Sequence, residues 1–468
     1  MAVCPPVEHV RHAVPVMNSG ADSWAISVAE LTAPCLRLDV DVAAGLPEVP
    51  PGPQRSAWIL VRFHSEPVGK LTLRVPSSGL TSLDIQVEID RQLGARVRER
   101  ASACGTRWPS PRPDLPLPCS RTPPYLESRT LLLDHAPRIT VVVCSRDRAS
   151  ALRRCLASLT RQAYPRYSVL VVDSASRSSA TREVVCEFED DPLSIRYVRE
   201  PRPGLSRARN LGLRLCTDDY LAWIDDDEVA DPAWLAELAR ALMSGPRVAA
   251  ASGLMVPAQL STWAEVRFEQ YGGHSKHRGF DPVTFDPVQG MRQSPFYPLP
   301  AFATGGNVAI RCDVLRELGG LDESLGAGTF TLGGADTRLF TEILCSGRSI
   351  VYQPSALTHH FHRQTIQALR RLMYAYGSGL SAYYASMLTT NPSRIVPLLR
   401  LVPDVLSDAF GRSSRRSGDL PMRFPPSLRW ANRLGLLSGP PRYLAARLLE
   451  RGSTPSMHFD LTAPRELP

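Results

Sequence analysis

Three consecutive carboxylates stand at the end of an apolar run near the middle of this 468-residue chain. Residues 220–224 are rich in aromatic and β-branched side chains, which is typical of a buried strand, and Asp225, Asp226 and Asp227 follow directly. Because side chains alternate along an extended chain, Asp225 and Asp227 are predicted to point the same way. Two convergent carboxylates offer the hard oxygen ligands that Mg²⁺ and Mn²⁺ prefer. The alternative is an acidic loop that caps a helix opening near Asp231.

Polar residues also follow two apolar runs upstream of the aspartates. The first run ends in residues 144–148, Cys-Ser-Arg-Asp-Arg, and the second ends at Asp173. In open α/β sheets, ligands bind at the carboxyl ends of the strands. Arg146 or Arg148 could therefore meet a diphosphate, since the guanidinium fork suits phosphate, and Asp173 could accept a hydrogen bond from a base or ribose. Each could equally be a turn or a cap.

A helix start with two arginines in its first turn follows at residues 203–212. Pro-Gly forms the turn and Ser206 is a good N-cap. The helix dipole disfavours Arg207 and Arg209 at this end, and an arriving anion would relieve the conflict. The pattern therefore favours an anion-binding role for these two arginines.

The elements that must position these residues alternate between strand and helix from residue 138 onward. Apolar strands without a polar face, separated by amphipathic helices, predict a parallel sheet covered on both faces. A hairpin and a helix precede this region, a dense run of prolines separates the two, and helices follow it. We predict four units: a small N-terminal α/β module at 1–104, a Pro-rich linker at 105–135, an α/β domain at 136–363 and a helical, Arg-rich extension at 364–468.

Four motifs, in order and spacing, resemble the inverting family-2 glycosyltransferases of the actinobacterial type with an extra N-terminal module. They are Val-Val-Cys-Ser-Arg-Asp-Arg, Val-Val-Asp-Ser-Ala-Ser, Pro-Gly-Leu-Ser-Arg-Ala-Arg-Asn and Trp-Ile-Asp-Asp-Asp. The resemblance covers roughly 138–363 and is more specific for the family than for any one sugar. It implies the GT-A fold, a Rossmann-like mixed and mainly parallel sheet with helices on both faces.

The resemblance assigns a donor side to the site. The implied donor-binding residues are Cys144, Arg146, Asp173, Arg207, Arg209, Asp225 and Asp226. The metal ligands would be Asp225, Asp227 and His360, with Asp227 the direct ligand of Mn²⁺ or Mg²⁺ and His362 nearer the phosphates. A surface loop is the alternative for the three histidines at 359, 360 and 362.

The resemblance also implies an acceptor side, formed by Gly305, Gly306 and Asn307. Asp336 would be the catalytic base of an inverting transfer, since a carboxylate must take the proton of the acceptor. This chain departs from the family's Gly-Glu-Asp motif, because Ala335 replaces the glutamate. Asp336 as a simple helix cap is the alternative.

Three functions fit these residues. The first is transfer of a sugar from a UDP- or dTDP-sugar to an unknown acceptor, which could be a glycan, a lipid-linked molecule or a natural product. The second, motivated by Ala335, is a catalytically impaired sugar-nucleotide-binding or scaffold protein. The third is a sugar nucleotidyltransferase, which is disfavoured because the loop at 145–148 lacks glycines.

Composition excludes other classes and predicts the compartment. The net charge is +8, but the basic residues form no stripe with interleaved aromatics, so nucleic acid is not an expected partner. The ten cysteines form no C-x-x-C pair, which argues against a zinc ribbon and is typical of thiols in a reducing cytosol. Neither a signal peptide nor a membrane-spanning run is predicted. Arg-rich amphipathic helices such as 395–410 could rest on the inner face of the membrane or simply cover the catalytic domain.

Overall fold

The computed structural model describes residues 23–189, 191–275, 278–291, 293–297, 302–404, 413–414, 418–419 and 425–451. The N-terminal part forms a three-stranded sheet and one long helix around an apolar core of its own. The middle strand pairs in parallel with the first and antiparallel with the third. The elements are β1 (Cys35–Asp41), β2 (Ser56–Phe63), β3 (Glu66–Arg74) and α1 (Ser82–Ala103).

The turn between β2 and β3 lies at His64 and Ser65, whose φ angles are 46° and 71°. The carboxylate of Asp41 accepts hydrogen bonds from both turn amides, at 2.9 and 2.8 Å. Pro and Gly within residues 66–69 favour a turn by residue type, but these residues belong to β3. A carboxylate supplied by β1 thus decides where the chain reverses.

The Pro-rich segment after α1 packs against the N-terminal module. Trp108 and Leu117 are buried in the core of the module, and Leu117 N donates to Ala43 O. A helix, α2 (Pro124–Asp134), then leads to the central domain. Two apolar side chains therefore attach a segment whose proline content alone indicates an extended linker.

A nine-stranded mixed sheet forms the central domain, in the order β10-β12-β9-β11-β7-β4-β5-β6, with β8 beside β12. β4 pairs in parallel with β5 and β7, β5 with β6, and β9 with β12, whereas β11 runs antiparallel to β7 and β9. The strands are β4 (Ile139–Ser145), β5 (Tyr167–Ser174), β6 (Ile195–Glu200), β7 (Tyr220–Asp225), β8 (Glu228–Ala230), β9 (Val248–Pro257), β10 (Val283–Phe285), β11 (Asn307–Arg311) and β12 (Ser349–His360). The predicted mainly parallel sheet is confirmed.

Helices cover both faces of this sheet, as predicted. Val141 and Val143 of β4 lie in one apolar core, and Val142 between them lies in the other. Such an uninterrupted apolar strand is expected when both faces are covered. The helices are α3 (Ala149–Leu159), α4 (Ala180–Cys186), α5 (Leu205–Leu215), α6 (Trp234–Leu242), α7 (Trp263–Gln270), α8 (Cys312–Glu317) and α9 (Ala335–Cys345).

The C-terminal part is helical, which confirms the prediction. It contains α10 (Ile366–Thr390), α11 (Ile395–Leu399) and α12 (Pro426–Arg451), with short strands β13 (Ser413–Ser414) and β14 (Gly418–Asp419). Gly377 and Gly435 let α10 and α12 touch, since a Cβ at either would collide with the backbone of the other helix. Residues 405–410 of the helix predicted at 395–410 lie outside the described residues. No described helix has the length and apolarity that crossing a bilayer requires.

Candidate active site

The three aspartates after β7 occupy different environments. Asp225 is partly exposed, whereas Asp226 and Asp227 are buried. Asp226 accepts a hydrogen bond from Ser145 Oγ at the end of β4, at 2.8 Å, and Arg148 Nη1 bridges Asp226 and Asp227 at 3.0 and 2.9 Å. Adjacent parallel strands that end together therefore join the first and fourth motifs.

Burial and charge separate the acidities of these carboxyls. Burial raises the pKa of Asp226 to about 6, in spite of Arg148. For Asp227, burial acts in the same sense, but His360, Arg148 and Arg363 outweigh it and hold its pKa below the usual range. Asp227 is thus the more firmly ionised of the two, which suits a metal ligand.

Arg209 lies behind Asp225 and orients it. Its guanidinium donates to Asp225 Oδ1 at 3.0 Å and to Gly305 O at 2.8 Å, and it stacks over the Trp223 ring at 4.8 Å. Arg207 faces elsewhere, because it pairs with Glu323 at 2.9 Å and with Glu450 of α12. Of the two arginines expected to meet an anion, only Arg209 lines the cavity.

Asp173 is enclosed by its own neighbours. It is 1% exposed, and its carboxylate accepts from Ser176 N and from the Tyr197 hydroxyl, both at 2.8 Å. The next residue, Ser174, lines the cavity instead. Asp173 thus shapes the loop after β5.

Two glycines lie where side chains would collide with the site. A Cβ at position 305 would lie 2.9 Å from Asp336 Oδ2, and one at 306 would lie 2.6 Å from Asp225 Oδ2 and closer still to Glu228. Asn307 is fully buried beneath them, where its amide donates to Ala356 O at 2.9 Å. Gly305 and Gly306 therefore line the site, while Asn307 supports it from the core.

Asp336 lies in the first turn of α9, after a left-handed Gly334 with φ of 92°. Its Oδ2 accepts a hydrogen bond from Gly305 N at 3.3 Å, and its Oδ1 accepts from Thr337 N at 3.0 Å. Ala335 is buried in the core between the sheet and α9, and it also touches the cavity wall. Asp336 is therefore held toward Gly305 by backbone donors.

The three histidines at and just after the end of β12 face two different parts of the protein. His359 pairs with Asp39 of the N-terminal sheet at 2.8 Å, whereas His360 and His362 face the cavity. His360 Nε2 lies 3.4 Å from Asp227 Oδ1, and the Nδ1 atoms of His360 and His362 are 3.1 Å apart. His362 Nε2 lies 2.9 Å from Glu269 Oε1, while burial lowers its pKa.

Sequence reasoning missed His274 and Glu269. The ring nitrogens of His274, His360 and His362 lie within 4.8 Å of one another. His274 stands in the loop after α7, far along the chain from β12, in a segment without periodicity. No local signal marks it, so only the folded chain identifies it as part of the site.

One cavity of about 560 Å³ collects these groups, a size typical of small-ligand sites. The polar wall comes from the ends of β4, β7 and β12 and from the loops before β11 and α9, and α10 supplies an apolar wall. The predicted residues that line it are Cys144, Arg146, Arg148, Arg209, Asp225, Asp226, Asp227, Gly305, Gly306, Asp336, His360 and His362. Asp173, Arg207 and Asn307 do not line it.

The donor chemistry in this cavity fits a divalent cation. Ligands of one six-coordinate ion at about 2.1 Å lie roughly 3 Å apart, close to the 3.4 Å between Asp227 Oδ1 and His360 Nε2. The other oxygen of Asp227 is engaged by Arg148 and Arg363. Asp225 is partly exposed and lines the same cavity, so that a second carboxylate is present in the same wall.

Comparison with known proteins places the domain. Residues 140–319 match the family Glycosyl transferase family 2. A pre-mycofactocin glycosyltransferase of Mycobacterium tuberculosis is 27% identical over 264 residues, 56% of this chain and 50% of that protein. The succinoglycan biosynthesis protein ExoM of Rhizobium meliloti is 29% identical over 232 residues, 47% of this chain and 66% of that protein. The chain thus spans about half to two thirds of the length of these relatives.

Among solved structures, a mannosyltransferase from Pyrobaculum calidifontis in complex with GDP-Man and Mn²⁺ is 20% identical. It covers 71% of this chain and 85% of its own, with a TM-score of 0.40.

The mixed sheet, with β11 antiparallel to its neighbours and helices on both faces, agrees with the GT-A fold that the motifs imply. Residues 140–319 are thus a domain of the family-2 glycosyltransferase type.

Proposed function

We propose that this chain is an inverting, metal-dependent glycosyltransferase that takes its sugar from a nucleoside-diphosphate donor. One observation carries the proposal: Asp225 and Asp336, from distant parts of the chain, both abut the Gly305–Gly306 segment inside one cavity. A carboxylate that can bind a metal–diphosphate and one that can accept a proton thus lie on either side of the same short backbone.

On the donor side, Asp225, Asp227 and His360 would hold Mn²⁺ or Mg²⁺. When bound, the ion neutralises charge on the diphosphate and so improves it as a leaving group. Arg148 fixes Asp227 and Asp226, and Arg209 fixes Asp225, so the ligands need little rearrangement. Cys144, Arg146 and Ser174 line the part of the cavity where the nucleoside would lie, and Asp173 supports that wall.

On the acceptor side, Asp336 is the proposed base. It would take the proton of the acceptor hydroxyl as that oxygen bonds to the anomeric carbon and the bond to the nucleoside diphosphate breaks, which inverts the configuration. The N–H of Gly305 holds one carboxylate oxygen in place. No charged group replaces the missing glutamate at Ala335, so Asp336 would act without a neighbouring acid at that position.

The names of the two relatives refer to different products, pre-mycofactocin and succinoglycan. For this chain we propose a UDP- or dTDP-sugar donor and an acceptor that is a glycan, a lipid-linked molecule or a natural product. The apolar wall from α10, with Leu372, Tyr376 and Leu380, supports an acceptor that has an apolar part.

The exposed face of α12 supports contact with an anionic membrane surface. Its exposed apolar side chains recur at helical spacing, and arginines flank them: Trp430, Leu434, Leu437, Leu444 and Leu448, with Arg429, Arg433, Arg442 and Arg447. Leu437 is 78% exposed. Basic charge beside an apolar face is the composition of helices that lie on anionic bilayers. Because α12 packs on α10, such contact would bring the cavity close to lipid-linked acceptors.

A donor-binding and donor-hydrolysis assay tests the proposal. Titration calorimetry with UDP- and dTDP-sugars, with and without Mn²⁺, should show metal-dependent binding, and slow release of the free nucleotide should follow. Metal-dependent binding without turnover in the presence of many acceptors would instead support the scaffold function that Ala335 suggests. Formation of a sugar nucleotide from a nucleoside triphosphate would point to a nucleotidyltransferase.

A further inference from the structure

A second cluster of metal-ligating side chains lies in the N-terminal module. None of its residues lines the cavity of the candidate active site. His64 comes from the β2–β3 turn, Cys104 follows α1, and Cys119 lies in the Pro-rich segment. Their ligand atoms all lie within 4.8 Å of one another, and His64 Nε2 is 3.2 Å from Cys119 Sγ. No short motif announces this cluster, because its three members are spread over the whole module.

The spacing suits a tetrahedral ion. Zinc binds cysteine sulfur at about 2.3 Å and histidine nitrogen at about 2.0 Å, so ligand atoms on one ion lie roughly 3.4–3.8 Å apart. The three ligand atoms lie within 4.8 Å of one another, with His64 Nε2 and Cys119 Sγ at 3.2 Å, so they are near enough to share one ion. Two sulfurs and one imidazole are also the donor set that favours zinc over hard cations.

The backbone holds each ligand in place by bonds that do not depend on an ion. His64 N donates to Asp41 Oδ1 at 2.9 Å, and His64 O accepts from the Tyr125 hydroxyl at 2.7 Å. Cys104 O accepts from the amides of Ser120 and Arg121, at 2.9 and 3.0 Å. The segment that carries Cys119 is therefore already fastened to the residue that carries the other sulfur.

The partial exposure of two of the three side chains would let a metal ion reach the cluster from solvent. Cys104 is fully buried, whereas Cys119 and His64 are half-buried. An ion could enter from the exposed side, and water could fill a fourth position there.

We propose that His64, Cys104 and Cys119 bind a zinc ion as its three protein ligands. Zinc there would join the β2–β3 turn, the end of α1 and the Pro-rich segment, and so fix how the chain leaves the N-terminal module toward α2. This proposal does not rest on the proposed sugar transfer, because its residues lie outside that cavity.

Metal analysis of the full chain, prepared without a polyhistidine tag and under reducing conditions, tests the proposal. The protein should retain about one equivalent of zinc per chain after exhaustive dialysis. Replacing zinc by Co²⁺ should produce the thiolate-to-cobalt charge-transfer absorption. Zinc-free protein that stays folded and takes up neither ion would overturn the proposal.

Variants identify the ligands. Cys119→Ser and His64→Asn should each weaken zinc binding by about tenfold or more. Asparagine tolerates the left-handed backbone at position 64, so His64→Asn should preserve the turn. Cys186→Ser, at an exposed thiol, is the control and should bind zinc normally. Unchanged zinc content in the ligand variants, or a Cys104–Cys119 disulfide in the reduced preparation by mass spectrometry, would refute the site.

Discussion

Asp336 Oδ2 accepts a hydrogen bond from Gly305 N across 3.3 Å, which joins the first turn of α9 to the loop before β11. In the same loop, Gly305 O accepts a hydrogen bond from Arg209, and Arg209 also donates to Asp225. One peptide segment thus connects the proposed base with a proposed metal ligand. Changes on either side of it should affect distinct steps of the reaction.

Asp336→Asn tests the base. The amide keeps the size of the side chain and one oxygen acceptor but cannot take a proton, so kcat should fall by about 10²–10⁴-fold while donor affinity stays near that of the parent. Steady-state kinetics together with donor calorimetry separate the two. Asp313→Asn, at an exposed helix start, should leave both unchanged. Full turnover by Asp336→Asn would remove this residue as the base.

Asp227→Asn tests the metal site. Because neighbouring cationic groups hold the pKa of Asp227 below its usual range and favour its ionised form, its loss should abolish the Mn²⁺ dependence of donor binding and most of the activity. Circular dichroism should show a folded protein. The surface variant Asp114→Asn serves as the comparison. Donor binding that still responds to Mn²⁺ would contradict the assignment.

Gly306→Ala tests the close approach in the cavity. The added methyl would collide with Asp225 and Glu228, so Asp225 must move away from Arg209 and transfer should slow strongly. Gly245→Ala is the matched control, since a methyl there meets its nearest neighbour at 3.6 Å. Equal activity of the two variants would show that Asp225 need not occupy its observed position.

Arg207→Gln tests the unexpected partners of that arginine. It pairs with Glu323 and Glu450, so its loss removes a cationic partner from two partly buried carboxylates and should lower the free energy of unfolding by about 1–3 kcal/mol. Donor affinity should change little. Arg209→Gln should instead reduce donor binding, because Arg209 holds Asp225 in the cavity wall. Chemical denaturation measures the stability of the two variants, and calorimetry measures their donor affinity. A loss of donor affinity without a loss of stability in Arg207→Gln would support the predicted anion-binding role of Arg207.

A Leu437→Glu, Leu448→Glu double variant tests membrane contact by α12. Both side chains are well exposed, so the folded protein should tolerate the change while binding to vesicles rich in anionic lipid falls. Leu131→Glu, equally exposed on α2, should bind as the parent does. Flotation with neutral and anionic vesicles measures this, and equal flotation of all three proteins would exclude the α12 surface.

Sequence alone determined the class of this protein. Each motif is local: an apolar strand, then polar residues at its carboxyl end, and parallel strands place such ends at one edge. The strand-end pattern predicts Asp225 to Asp227 at this edge, and the family resemblance adds Gly305, Gly306, Asp336 and His360; all of them line one cavity. The sheet type follows equally from continuous apolar strands such as β4.

Tertiary structure decided which of the predicted side chains face the cavity. Asp173 turns to Ser176 and Tyr197, Arg207 to Glu323 and Glu450, and Asn307 to the core, because those distant partners satisfy them. His274 enters the site, and His64, Cys104 and Cys119 meet, from segments without a shared motif. The local sequence pattern sets where a strand ends. Hydrogen-bond partners and ligand clusters depend instead on residues that are far apart in the chain, and the spacing of residues within a motif carries no information about them.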